Sequence, residues 1–173
     1  MNKTLKYGLI GTGIVASIAL AWWQRRVILY PLFKANQWAY FKQIHPKYRI
    51  VFEKFVERSE KAGYDIIFTS VYRDAQKQKE VSAYSTSYHN LGMAVDINAL
   101  DADGNRIVMA SSKAKWKPIV DIAKDLGLRW GGDFTGYYDS VHFDVGNLVG
   151  KKPSELLAMA KDQNVEPNKV KLT

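Results

Sequence analysis

An aspartate stands in the middle of an apolar run, Met93-Ala94-Val95-Asp96-Ile97-Asn98-Ala99, and it constrains the chain more than any other feature. The run reads as a buried strand. A carboxylate buried there costs several kcal/mol unless it is paired or coordinated, so the fold has to bring a cation to Asp96. Seven residues upstream, His89 lies in what reads as a polar loop, Ser85 to Leu91. Gly92 lets the backbone turn between loop and strand, and Ala94 leaves room beside the site. A metal shared by His89 and Asp96 would remove the burial cost. Further on, Asp139-Ser140-Val141-His142-Phe143 puts a second histidine at the start of another short strand. His89, Asp96 and His142 together offer two nitrogens and one oxygen. Catalytic zinc sites use three such protein ligands and keep the fourth position for water. Asp139, three residues before His142, is close enough to take a proton from that water.

The chain has no cysteine and three histidines, so a disulfide framework and a thiolate metal site are both excluded. His45 precedes Pro46, matches no ligand spacing, and reads as an exposed helix-entry residue. Asp101 to Asn105 lacks the register and terminal Glu of a calcium loop and reads as a hairpin turn. Tyr137-Tyr138 reads as a cleft wall or as simple packing.

Pro46 opens a predicted helix running to about Lys61, with Ile50, Phe52, Phe55 and Val56 on one face and Gly63 just past its end. Ile66 to Val71 reads as a buried strand, and Asp74 as the cap of a short helix reaching about Ala83. Lys113 to Leu126 is amphipathic and ends at Gly127. Trp130 to Asp139 is a glycine-rich loop, Val141 to Val145 a strand, and Pro153 to Lys161 a helix. Helices interleave with short, turn-bounded strands. The expected fold is therefore α+β, a small, mainly antiparallel sheet flanked by helices and preceded by an N-terminal hydrophobic helix. The expected organisation is an anchor or signal segment at 1–26, a juxtamembrane connection at 27–44, a catalytic domain at 45–162 and a flexible tail at 163–173.

The formal net charge is +8. Residues 1–64 hold eleven Lys/Arg against three Asp/Glu, while residues 65–173 hold fourteen of each. The whole excess lies beside the uncharged run Tyr7 to Trp23, which suits membrane lipid better than nucleic acid. That run is 17 residues long, at the short end for a span, and Trp22, Trp23, Arg25 and Arg26 border it as an interface favours. An uncleaved anchor, a cleaved signal peptide with Ala19-Leu20-Ala21 before the cut, and a buried helix are the three readings. Val27 to Phe41, broken by Pro31, reads as a connection along the bilayer surface.

The pattern Ser87-x-His89-x-x-Gly92-x-Ala94-x-Asp96, with the later Asp139-x-x-His142, resembles the M15 family of zinc peptidases. These are D-alanyl-D-alanine carboxypeptidases and dipeptidases, and the L-alanyl-D-glutamate endopeptidases of phage endolysins and bacterial autolysins. Tyr72-Arg73 with Gln78 is similar to the family's Tyr-Arg-Ser segment and its following Gln. Trp130-Gly131-Gly132-Asp133-Phe134 is similar to the Trp-Gly-Gly-Asp-Trp segment of the L-alanyl-D-glutamate branch. The resemblance spans roughly residues 45–148. It implies one Zn²⁺ held by His89, Asp96 and His142, with Asp139 as general base. It implies that Arg73 binds a substrate carboxylate or the developing oxyanion, while Gln78 and Ser87 support the site or the substrate. A plain ion pair from Arg73 to Asp74 or Asp139 is the alternative. The implied activity is hydrolysis of peptidoglycan peptide stems at L-Ala-D-Glu, in phage lysis or entry or in bacterial wall remodelling, with the domain facing the periplasm or wall. A D-Ala-D-Ala carboxypeptidase and a non-catalytic wall-binding membrane protein are the alternatives. Asp74 in place of the usual Ser or Thr, and Phe134 in place of Trp, depart from the family pattern.

Overall fold

A computed structural model describes residues 30–101 and 113–172. The expected hydrophobic helix and anchor lie outside these residues, as does most of the Asp101 to Asn105 turn. Among the described residues no helix is long and apolar enough to cross a membrane. The chain divides into two compact units, Met1–Trp38 and Ala39–Thr173. Helix α1, Tyr30–Gln43, covers much of the stretch read as a broken connection. Pro31 sits in its first turn, where a missing N–H leaves no helical bond unmade.

The second unit carries a four-stranded antiparallel sheet of order β1-β2-β4-β3, with β1 at Asp65–Ser70, β2 at Ala94–Leu100, β3 at Arg129–Trp130 and β4 at His142–Asp144. The α+β expectation for this domain is met. Helices α2, Arg49–Lys61, and α4, Lys113–Asp125, pack on each other and against the sheet. Phe143 of β4 meets Phe55 of α2 at 5.2 Å between ring centroids and Trp116 of α4 at 6.4 Å, all three fully buried. Each such side chain contributes on the order of 2–3 kcal/mol of hydrophobic stabilisation. Ile50 does not join this face. A 3₁₀ turn at Pro46–Tyr48 precedes the α-helix and shifts the register, so Tyr48, Phe52 and Phe55 point inward while Ile50 is 55% exposed.

Helix α3, Ala75–Val81, starts where the Asp74 carboxylate accepts from Lys77 N at 2.7 Å. After β4 come a single helical turn, α5, Gly146–Val149, and helix α6, Pro153–Asp162.

Three expectations need correction. The polar loop before Gly92 holds a 3₁₀ turn, Tyr88–Leu91, with all four residues buried, because Ser87 and Asn90 cap it reciprocally and satisfy its polar groups. His45 is 5% exposed: its backbone N–H donates to Gly92 O at 2.8 Å and its ring Nε2 to Val170 O at 2.9 Å. The segment from 163 through 172 is docked instead of free, since Val170 is buried and the Gln163 side chain pairs with both backbone polar groups of Lys171. The carbonyl of Val170 and the side chain of His45 thus close the domain around the base of the His89 turn.

Candidate metal centre and its cleft

Residues 46 positions apart in sequence become neighbours through strand register. In the antiparallel β2/β4 pair, Asp96 lies directly opposite His142, and Val95 opposite Phe143. Opposed residues share a face, so Val95 and Phe143 turn to the helices while Asp96 and His142 turn to the other side. A register shift between Phe68 and Ser70 places Ser70 opposite Asp96 on β1. The buried 3₁₀ turn then swings His89 over the same point. His89 Nε2, Asp96 Oδ1 and His142 Nδ1 form a triangle with edges of 3.0, 3.1 and 3.3 Å. Ligands at 2.0–2.1 Å around a tetrahedral zinc stand about 3.3 Å apart. The three atoms therefore have the spacing of one face of that tetrahedron.

The outward ring nitrogens settle which atoms carry protons when both rings are neutral. His89 Nδ1 is 2.6 Å from Val71 O, a group that can only accept, so Nδ1 carries the hydrogen and Nε2 presents a lone pair. His142 Nε2 is 3.0 Å from the Asp144 carboxylate, so it donates there and Nδ1 presents a lone pair. Two lone pairs and a carboxylate oxygen then converge with no hydrogen between them, an arrangement that a bound cation or an added proton relieves. The outer partners are those that orient metal-bound histidines.

Electrostatics agree with the geometry. Burial holds the His89 pKa below its ordinary value, against the pull of Asp96. Burial also opposes charge on His142, but hydrogen bonds to Asp144 and Asp96 outweigh it and push its pKa up to about 9. Burial works against the Asp96 carboxylate too, yet hydrogen bonds from His142 and His89 and the charge of Arg73 hold it well below the usual range. In the metal-free protein one proton, shared by His142 with Asp96, therefore stands where the cation fits.

A cleft of about 230 Å³ opens over this point, and its lining includes Arg73, Gln78, Ser87, His89, Asp139 and His142. Arg73 pairs with Asp96 Oδ2 and donates from Nε to Ser70 Oγ at 2.9 Å; neither Asp74 nor Asp139 is its partner in these bonds. Ser87 caps the His89 turn. Gln78 is buried, donates from Nε2 to Tyr84 O at 3.0 Å, and leaves Oε1 without a hydrogen-bond partner among the described residues. Asp139 is half-buried, and burial raises its carboxyl pKa against the opposing charge of His142. Gly131 permits the approach of its loop: a Cβ there would lie 2.2 Å from Asp139 O and 2.9 Å from His142 Cβ. Tyr137 lines the cleft, and its ring packs tilted against that of Tyr84 with centroids 5.0 Å apart. Sequence reasoning missed Asp144 and Arg129. The signal was the His142-x-Asp144 spacing, which puts both residues on one strand face.

Residues 81–145 match the model of a peptidase M15 family described as D-alanyl-D-alanine carboxypeptidase. Over these residues the chain resembles the M15 peptidases. Among curated relatives, this chain is 30% identical over 103 residues to the peptidoglycan L-alanyl-D-glutamate endopeptidase CwlK of Bacillus subtilis (strain 168), covering 48% of this chain and 62% of that protein. It is 30% identical over 95 residues to the L-alanyl-D-glutamate peptidase of Listeria phage A118, covering 51% of this chain and 33% of that one. The chain thus spans less than two thirds of either relative. A solved structure, the Serratia marcescens L-Ala D-Glu endopeptidase ChiX, is similar with a TM-score of 0.47 and 22% identity over 60% of this chain and 81% of that chain.

Proposed function

We propose that this domain is a zinc-dependent peptidase of the M15 type that hydrolyses the L-Ala-D-Glu bond of peptidoglycan stem peptides. The observation that carries the reading is the triangle of His89 Nε2, Asp96 Oδ1 and His142 Nδ1 at the cleft, with every edge between 3.0 and 3.3 Å. The names of the Bacillus and Listeria phage relatives support the choice of bond.

His89, Asp96 and His142 would hold the metal. Zinc supplies Lewis acidity there, making water nucleophilic at neutral pH and offsetting charge on the attacked carbonyl. Asp139 takes the proton of the attacking water and returns it to the leaving amine; its half-buried carboxyl, with a raised pKa, is suited to both transfers. Arg73 orients Asp96, and the guanidinium donors left after Ser70 and Asp96 meet a substrate carboxylate or the oxyanion. Gln78 supports the Tyr84 wall of the cleft, and Ser87 fixes the His89 turn. Residues 1–26 would tether the domain at a membrane with the cleft facing the wall; the uncharged run and its basic border support this.

Digestion of purified peptidoglycan should release stems with a new amino group on D-Glu, and a chelator should abolish the release until zinc is restored. Loss of terminal D-Ala alone would place the domain with the carboxypeptidases that its family model describes. No turnover by zinc-loaded protein would leave a wall-binding role.

A further inference from the structure

Behind His142 lies a group that the catalytic reading does not use. Asp144 is fully buried, and its carboxylate is saturated. Oδ2 accepts from His142 Nε2 at 3.0 Å and from Arg129 Nη2 at 2.8 Å; Oδ1 accepts from Arg129 Nε and from Gly146 N, both at 2.7 Å. Arg129 therefore grips both oxygens as a planar fork. Its guanidinium also lies 5.1 Å from the centre of the Tyr88 ring and 5.3 Å from that of Phe134. Tyr88 is the residue before His89 in the buried turn, and the Phe134 ring stands 5.6 Å from that of His142. One side chain thus touches both segments that carry the histidines. The backbone makes room for it: a Cβ on Gly146 would lie 2.2 Å from Arg129 Nε and 2.3 Å from its Cζ.

We propose that Arg129 is a positioning residue of the metal centre, which through Asp144 and Tyr88 fixes the spacing of His142 and His89 and so sets zinc affinity. The proposal rests on the zinc reading of the site. Imidazoles already oriented lose little freedom when a metal arrives, and a carboxylate behind one makes its other nitrogen a better donor. Lysine cannot substitute. A single ammonium neither bridges two carboxylate oxygens nor lies flat against two rings. The competing explanation is an ion pair that only ties β3 to β4, since Arg129 and Asp144 are register partners. Such a pair would affect melting and leave the metal alone.

The test is zinc affinity by chelator competition on the full chain, at a temperature where circular dichroism shows each variant folded, with visible spectra of the cobalt(II)-loaded forms. Arg129→Lys should bind zinc about 10- to 100-fold more weakly than wild type, with shifted cobalt bands. Gly146→Ala, which keeps every charge but fills the guanidinium's place, should move both readouts the same way. A folded Arg129→Lys with wild-type zinc affinity and an unchanged cobalt spectrum overturns the proposal. If that variant does not fold, Gly146→Ala and Asp144→Asn decide by the same criterion. Wild-type protein that binds no zinc overturns the zinc reading and this proposal together, whereas tight wild-type binding matched by the variants overturns this proposal alone.

Discussion

A zinc ion taking the proposed site would have to displace a proton, and the structure says how many. In the metal-free protein His142 is pushed up to about 9 by Asp144 and Asp96, which outweigh its burial. His89 is held below its ordinary value by burial and is neutral at pH 7. Asp96 is held well below the carboxylate range and is already ionised. Of the three proposed ligands, only His142 would have to lose a proton to bind metal between about pH 7 and 9. At pH 7, two units below its pKa, about one molecule in 100 has His142 free, so zinc affinity sits about 100-fold below its alkaline limit. The dissociation constant should fall about tenfold for each unit of pH from about 7 to 8, and level off above about 9. Chelator-competition titrations across that range measure the slope. Calorimetry in buffers of different ionisation enthalpy should show about one proton released per zinc at pH 7. A flat dissociation constant from pH 7 to 8, or two protons released, would refute the assignment of a single protonated imidazole.

Two substitutions separate chemistry from metal holding. Asp139→Asn keeps the shape of a half-buried side chain that is not part of the ligand triangle, so zinc content should stay at wild-type level while kcat falls about 100-fold or more; metal analysis beside muropeptide turnover checks this, and loss of zinc would make Asp139 structural. Arg73→Lys keeps charge but loses the fork joining Asp96 and Ser70. Its zinc affinity should drop about tenfold, and equal affinity in chelator competition would show that Arg73 does not orient Asp96.

The sequence carried the convergence at the site because it is a property of local patterns. An acid in an apolar strand, a turn before it and a histidine on a second strand restrict the pairings that avoid a bare buried charge. The register Asp96↔His142 then follows from which faces are apolar. What was not legible depends on partners distant in sequence. Tyr88, His89 and Asn90 read as loop residues by polarity; they are buried because Ser87, Val71, Arg73 and Lys151 supply hydrogen bonds that composition does not announce. Asp144 was readable as a strand neighbour of His142, but nothing local says that Arg129 would balance its charge. Ile50 was misplaced by a single 3₁₀ turn, which changes the angular position of every residue after it. His45 was misjudged for want of Val170, 125 residues away.

That last pairing bears on how such a protein is made. All three proposed ligands have been synthesised by residue 142, yet the carbonyl that closes the domain on His45 belongs to Val170. During synthesis, when chains fold from the N-terminus onward, the His89 turn exists for a time without its clasp. His45 then has a ring hydrogen with no acceptor, a cost of about 1–3 kcal/mol if it is buried in that state. A nascent chain therefore holds His89, Asp96 and His142 before it holds the clasp that steadies the turn carrying the first of them.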